Sequence, residues 1–194
     1  MAYTDTPFEE LLDTIAAETP APGGGSVAAF VTEMAASLAA MAARFAHDWE
    51  GAAGAVAQAE TLRHRAAPLA AEDAVAYENV LTAMRMPKDL ESEVRNTLIG
   101  ETLSRAADIP LLIAETANDV AELASEIAVQ GNPNLRGDAA AASLLASSAA
   151  RVAANLVEIN LSTVEGEERI ERARALVRSS ERAAARAVGD GAVG

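Results

Sequence analysis

One carboxylate in this chain is set among apolar neighbours. Leu62, Ala66, Leu69, Asp73, Ala76, Tyr77, Val80 and Met84 recur at steps of three and four residues, which lays them along one helix face. A carboxylate held in such a stripe resists ionisation unless it is paired. Its pKa climbs toward the range in which it can take up and return a proton. Asp73 is therefore the first candidate for acid–base chemistry. The competing reading is an aspartate paired with an arginine, or a stripe rotated far enough to wet it. Glu33, inside a segment of small residues, poses the same question. His47 and His64 read as solvated helix residues and match no HExxH-type spacing.

Two loops add candidates. Gly23-Gly24-Gly25-Ser26 opens a helix with no side chain over its first backbone N–H groups, which suits an anion or a polar heterocycle. It lacks the Lys-Ser/Thr of a phosphate-binding loop, so a plain glycine-rich helix start is the other reading. Asn132, Asn134 and Asp138 supply two amides and a carboxylate within one short stretch. Amides both donate and accept, as recognition of a heterocycle edge requires; the same residues also serve as an Asn-Pro turn followed by an Asp N-cap. Asn155 and Asn160 lie in an apolar helix, where buried amides either meet a ligand or stitch helices together.

The elements that position these residues are helical. Thr6-Pro7-Phe8-Glu9 has the form of a capping box opening a helix to about Glu18. Pro20 to Gly25 breaks it, and Ser26 can cap a second helix over about 27–46 that is almost entirely small or apolar. A third stretch covers about 52–86, bent or split at Pro68 and stopped by Pro87. Asp89 can cap a fourth, interrupted at Pro110 and ended by Gly131. The apolar run 139–161 and a Glu/Arg-rich helix over about 165–188 complete the pattern. Nothing alternates with period two for long. The expectation is an all-α bundle of about five to seven helices around two apolar central ones, as one domain over residues 1–194.

Composition narrows the partners. Fifteen Lys+Arg against 29 Asp+Glu give a formal charge of −14, which opposes nucleic acid and anionic membranes. With no cysteine there is no disulfide framework and no thiolate ligand or nucleophile. No basic n-region or signal-type apolar stretch opens the chain, and no long charge-free apolar run follows, so a cytoplasmic setting is expected.

Taken in order, Pro20-Ala21-Pro22-Gly23-Gly24-Gly25-Ser26-Val27-Ala28-Ala29, Asp73 with Tyr77, Gly131-Asn132-Pro133-Asn134 leading to Asp138, and Asn155 through Ile159-Asn160 resemble the cyclodeaminase domain of formiminotransferase-cyclodeaminase and the related methenyltetrahydrofolate cyclohydrolases. The resemblance spans nearly the whole chain. It implies a helical homodimer, or an assembly of dimers, that binds a tetrahydrofolate between helices and needs no metal or redox cofactor. The implied reaction is hydrolysis of 5,10-methenyltetrahydrofolate to 10-formyltetrahydrofolate, or closure of 5-formiminotetrahydrofolate with loss of ammonia. Asp73 would be catalytic. Gly23, Gly24, Gly25, Ser26, Tyr77, Asn132, Asn134, Asp138 and Asn155 would bind substrate, and Arg136 would meet its anionic glutamate tail. Two departures stand out: relatives carry a Thr-x-Gly-Lys stretch where this chain has Ala46-His47-Asp48-Trp49, and often a serine where it has Gly137. The alternative is a non-catalytic helical binding or assembly module, or an enzyme acting on a different C–N bond.

Overall fold

The computed structural model describes residues 3, 6–86, 92–162 and 167–189. Among them are eight α-helices: α1 (Phe8–Ala16), α2 (Gly24–Arg44), α3 (Ala52–Ala66), α4 (Leu69–Met84), α5 (Ser92–Ala106), α6 (Asp108–Gln130), α7 (Arg136–Asn160) and α8 (Glu168–Val188), with a 3₁₀ turn at Pro133–Leu135. The chain is all-α, as expected. α3 and α4 are separated only by Ala67 and Pro68, and α5 and α6 only by Ala107. Counted as bent rods these pairs bring the number to six.

Several boundaries differ from the sequence expectation for physical reasons. α1 is capped by Pro7 with no side-chain bond, so the Thr6 capping box does not form. α2 starts at Gly24, with Gly23 as its N-cap; Ser26 is inside the first turn and its hydroxyl is free for tertiary work. The break near Pro110 falls instead at Ala107. Pro110 then occupies the first turn of α6, where no intrahelical N–H donor is needed. α7 begins at Arg136 with Leu135 as N-cap, so Asp138 sits in the first turn without capping it. Pro87, Asp89 and Glu165, expected at helix ends, lie outside the described residues.

α2 and α7 are central, as expected, and α6 joins them. Ile113, Val120 and Ile127 of α6 are fully buried together with Val157 and Leu161. The acidic residues Glu115, Asp119, Glu122 and Glu126 on its other side dilute the apolar pattern of α6. Elsewhere the interior is alanine. Ala35, Ala36, Ala39, Ala43, Ala142 and Ala146 form one cluster with Val120, Ala121 and Ala124; side chains this small let helices close toward the short end of the usual ~8–10 Å axial spacing. Ser143 Oγ donates to the Ala121 carbonyl at 2.8 Å, an approach open only to a small polar residue. α2 and the span 133–160 are long and apolar enough by composition to cross a membrane, yet 56% and 50% of those windows are buried inside the bundle. That composition matches the core position of both helices.

Close axes leave no room for larger side chains. Ala39→Leu is expected to cost about 1–3 kcal/mol through overpacking, whereas Ala57→Leu on the exposed face of α3 changes stability little; thermal melts of the two variants check the contrast.

Candidate active site

α4 lies across the start of α2, and Asp73, one turn into α4, meets the N-terminus of that helix. Ser26 is fully buried. Its Oγ is 2.9 Å from the Ala70 carbonyl oxygen and 3.0 Å from Asp73 Oδ2. One hydroxyl proton thus faces two acceptors while Asp73 is ionised. When Asp73 is protonated it can donate to Ser26 Oγ while the serine donates to Ala70, and each group is satisfied. Gly25 makes the approach possible: a Cβ there would lie 2.1 Å from Asp73 Oδ1.

The electrostatics follow from this packing. Burial pushes the Asp73 carboxyl above its ordinary value, and the hydroxyl and backbone N–H of Ser26 pull the other way without cancelling it. Neither alternative from the sequence holds: Asp73 is partly buried rather than washed by solvent, and its one side-chain hydrogen-bond partner among the described residues is Ser26. Tyr3, which the sequence reading passed over, is close enough that its phenol is pushed up by burial and then by the charges of Glu78 and Asp73. Its ring stands edge-on to Phe30, with centroids 5.5 Å apart. The scarcity of aromatic residues was the only sequence signal for it.

A cavity of about 290 Å³ opens beside the carboxylate, lined by Gly23, Gly24, Gly25, Asp73, Tyr77 and Asn160. Gly23 to Gly25, Asp73 and Tyr77 are thus brought together, with Ser26 behind them. The second loop is not. Asn132 Nδ2 donates to the Phe45 carbonyl at 3.0 Å, and its Oδ1 accepts from the Asn134 N–H at 3.0 Å, which is turn-forming work. Asn132 and Asn134 line a separate recess of about 370 Å³ with Phe45, His47 and Trp49. Asn160 and Asp138 lie toward opposite ends of α7, a 25-residue helix that is about 37 Å long. Arg136 is engaged elsewhere: it donates to the Val188 carbonyl at the end of α8, 3.2 Å away. Asn155 is exposed and does not line the Asp73 cavity. Glu33 is part-exposed, and His47 and His64 are exposed. Among the described residues no cluster of three or more His, Asp or Glu could hold a metal ion.

Residues 7–179 match the family model described as formiminotransferase-cyclodeaminase. The chain belongs to this family. It is 32% identical over 169 residues to the methenyltetrahydrofolate cyclohydrolase of Methylorubrum extorquens, covering 82% of this chain and 81% of that protein. It is 30% identical over 141 residues to the formimidoyltransferase-cyclodeaminase of Sus scrofa, of which it spans 26%. A crystal structure of formiminotetrahydrofolate cyclodeaminase from Thermotoga maritima superposes with a TM-score of 0.80 at 26% identity, covering 94% of this chain and 96% of that one.

Within this cyclodeaminase-type bundle, burial gives Asp73 a measurable signature. A raised folded-state pKa means that the contribution of Asp73 to stability is fully present below the ordinary carboxylate range. That contribution is lost as pH rises through the raised value. Asp73→Asn removes the cost of holding a buried charge, so the variant is expected to melt a few degrees above the parent at neutral pH, with the gap closing as the pH falls. A gap that is absent at neutral pH, or that widens in acid, contradicts this account.

Proposed function

We propose that the chain is a folate-dependent one-carbon enzyme that hydrolyses 5,10-methenyltetrahydrofolate. The observation that carries the reading is Asp73: a part-buried carboxylate, with its pKa pushed up, fixed by Ser26 at the mouth of a cavity. The choice of cyclohydrolase leans on the Methylorubrum relative, which is matched over four-fifths of both chains. In its ionised form Asp73 faces the cationic amidinium carbon of the substrate. It takes a proton as water adds to that carbon and returns it to N5 as the C–N5 bond breaks. The hydroxyl proton of the tetrahedral carbon leaves to solvent, so 10-formyltetrahydrofolate and one proton are the products.

The second reading, closure of formiminotetrahydrofolate, is favoured by the likeness to the Thermotoga cyclodeaminase over nearly the whole of both chains. The same carboxylate would take the N10 proton and give it to the departing ammonia. Loss of methenyl absorbance tests the first reaction, and its gain from the formimino substrate tests the second. Asp73→Asn is expected to lower kcat/KM by ~10²–10⁴-fold. Gly25→Ala, which displaces the carboxylate, should lower it by at least about tenfold. Unchanged turnover of both folates by well-folded Asp73→Asn would remove the proposed role.

The reading carries a homodimer with it. Leu145, Ser148, Val152, Asn155 and Ile159 follow one another at three- and four-residue steps on the exposed face of α7, a stripe free of acidic residues on a chain of charge −14. Antiparallel pairing of this stripe about Ser148 would set the Asn132–Asp138 loop of one copy beside the Asp73 cavity of the other. It would also cover Asn155. Mixing inactive Asp73→Asn with an inactive Asn134 variant should then restore part of the activity, because one intact composite site forms in each mixed dimer. Activity that stays absent, with mixed dimers present by mass, excludes the shared site.

A further inference from the structure

The Asp73 cavity is small for a whole folate. Its ~290 Å³ lies at the lower edge of the ~300–1,000 Å³ usual for pockets that enclose drug-sized ligands. It has a neighbour. Between α4 and α5 runs a groove of about 750 Å³, and the two spaces share Ala76 and Ala106. Its walls include Val75 and Ala83 from α4 and Met86 just beyond the end of that helix, with Arg105 from the end of α5. α4 continues from Asp73 to Met84, about 16 Å of helix surface, and Arg105 adjoins Ala106, where the two spaces meet.

We infer that this α4–α5 groove holds the p-aminobenzoyl-glutamate arm of the substrate, with Arg105 binding its α-carboxylate; the inference rests on the folate reading above. The arm joins a flat aryl ring to a dianionic amino acid. The groove offers the complement: an apolar channel broad enough for a ring and a single cationic side chain among its described lining residues. Arg105 is exposed, and no ion pair among the described residues occupies its guanidinium. A planar guanidinium can meet a carboxylate through two parallel hydrogen bonds. Arg136, the cation expected from the sequence to do this, is bonded to the end of α8. Glu72 also lines the groove and, as an acceptor, suits the amide N–H of the arm rather than its carboxylates.

The test uses p-aminobenzoylglutamate itself as a probe, titrated calorimetrically into the full chain, beside steady-state kinetics. Arg105→Ala should weaken the probe by about tenfold and raise KM for methenyltetrahydrofolate to a similar degree. It should leave kcat and the turnover of a methenyl-tetrahydropterin lacking the arm unchanged. Arg105→Lys should recover part of the loss. Val75→Trp, at a position 54% exposed and so tolerant of bulk, should obstruct the groove and reproduce the KM effect. Probe binding that depends on Arg105 in a chain that turns over no folate would keep the groove and discard the reaction. Folate turnover with KM and probe affinity indifferent to both positions would keep the reaction and overturn the groove.

Discussion

The structure turns on a contact between an aspartate and a helix end that carries no side chain. Asp73 can reach the first turn of α2 because Gly25 leaves open the space that a Cβ would fill, 2.1 Å from its Oδ1. Helix N-termini favour anions through unpaired N–H groups and the macrodipole. Burial disfavours them. At Asp73 burial prevails while the helix end and Ser26 limit its effect, which leaves a carboxylate fixed in place yet easier to protonate than a solvated one. An arginine partner would have stabilised the anion and pulled its pKa down instead.

The small residues beside this contact let two helices sit at that distance. Pro68 separates α3 from α4, so α4 can take a direction of its own. The buried alanines Ala28 and Ala29 on α2 and Ala70 on α4, packed with Ile113 and Ala117 of α6, allow the backbones to approach closely enough for one serine hydroxyl to touch both a carbonyl and a carboxylate of the next helix. Larger core residues would bury more apolar area per position, but they would set the axes further apart. The many exposed ion pairs, such as Arg65 with Asp119 and Arg186 with Glu122, add little individually. These two link α3 and α8 to α6.

Much of this could be read in advance, and the limits are physical. Periodicity placed Asp73 on a stripe because the three- and four-residue recurrence is a local property of a helix; Leu62, Ala66, Leu69 and Val80 on it are buried, while Tyr77 and Met84 are exposed. The two alanine-rich helices were visible for the same reason. α6 was undervalued as core because its acidic outer face dilutes the apolar signal without weakening its inner one. Ser26 was read as a cap, since nothing in a sequence distinguishes a serine at a helix start from one a turn inside it. Arg136 looked free because its partner, the Val188 carbonyl, lies 52 residues away along the chain. That the Asn132 loop and Asn160 lie at opposite ends of α7 was implicit in the length of that helix; that the Gly23 turn joins Asn160 is a tertiary fact that no local pattern carries. Shared membership in one family pattern had suggested a single place.

That separation bears on the stretch Ala46-His47-Asp48-Trp49, which departs most from the family pattern. These residues line the recess beside Asn132 and Asn134, across the length of α7 from Asp73. No side chain spans about 37 Å, so within one chain the absence of a lysine there leaves the Asp73 cavity, Ser26 and Gly25 untouched. Its influence on the chemistry must pass through a neighbouring copy, or else be confined to the recess itself. Within one chain the Asp73 carboxyl and the far loop are accordingly separate, each placed by its own helix end. Within one chain, a change at the far loop leaves untouched the packing of Ser26 and Gly25 that sets the acidity of the carboxylate.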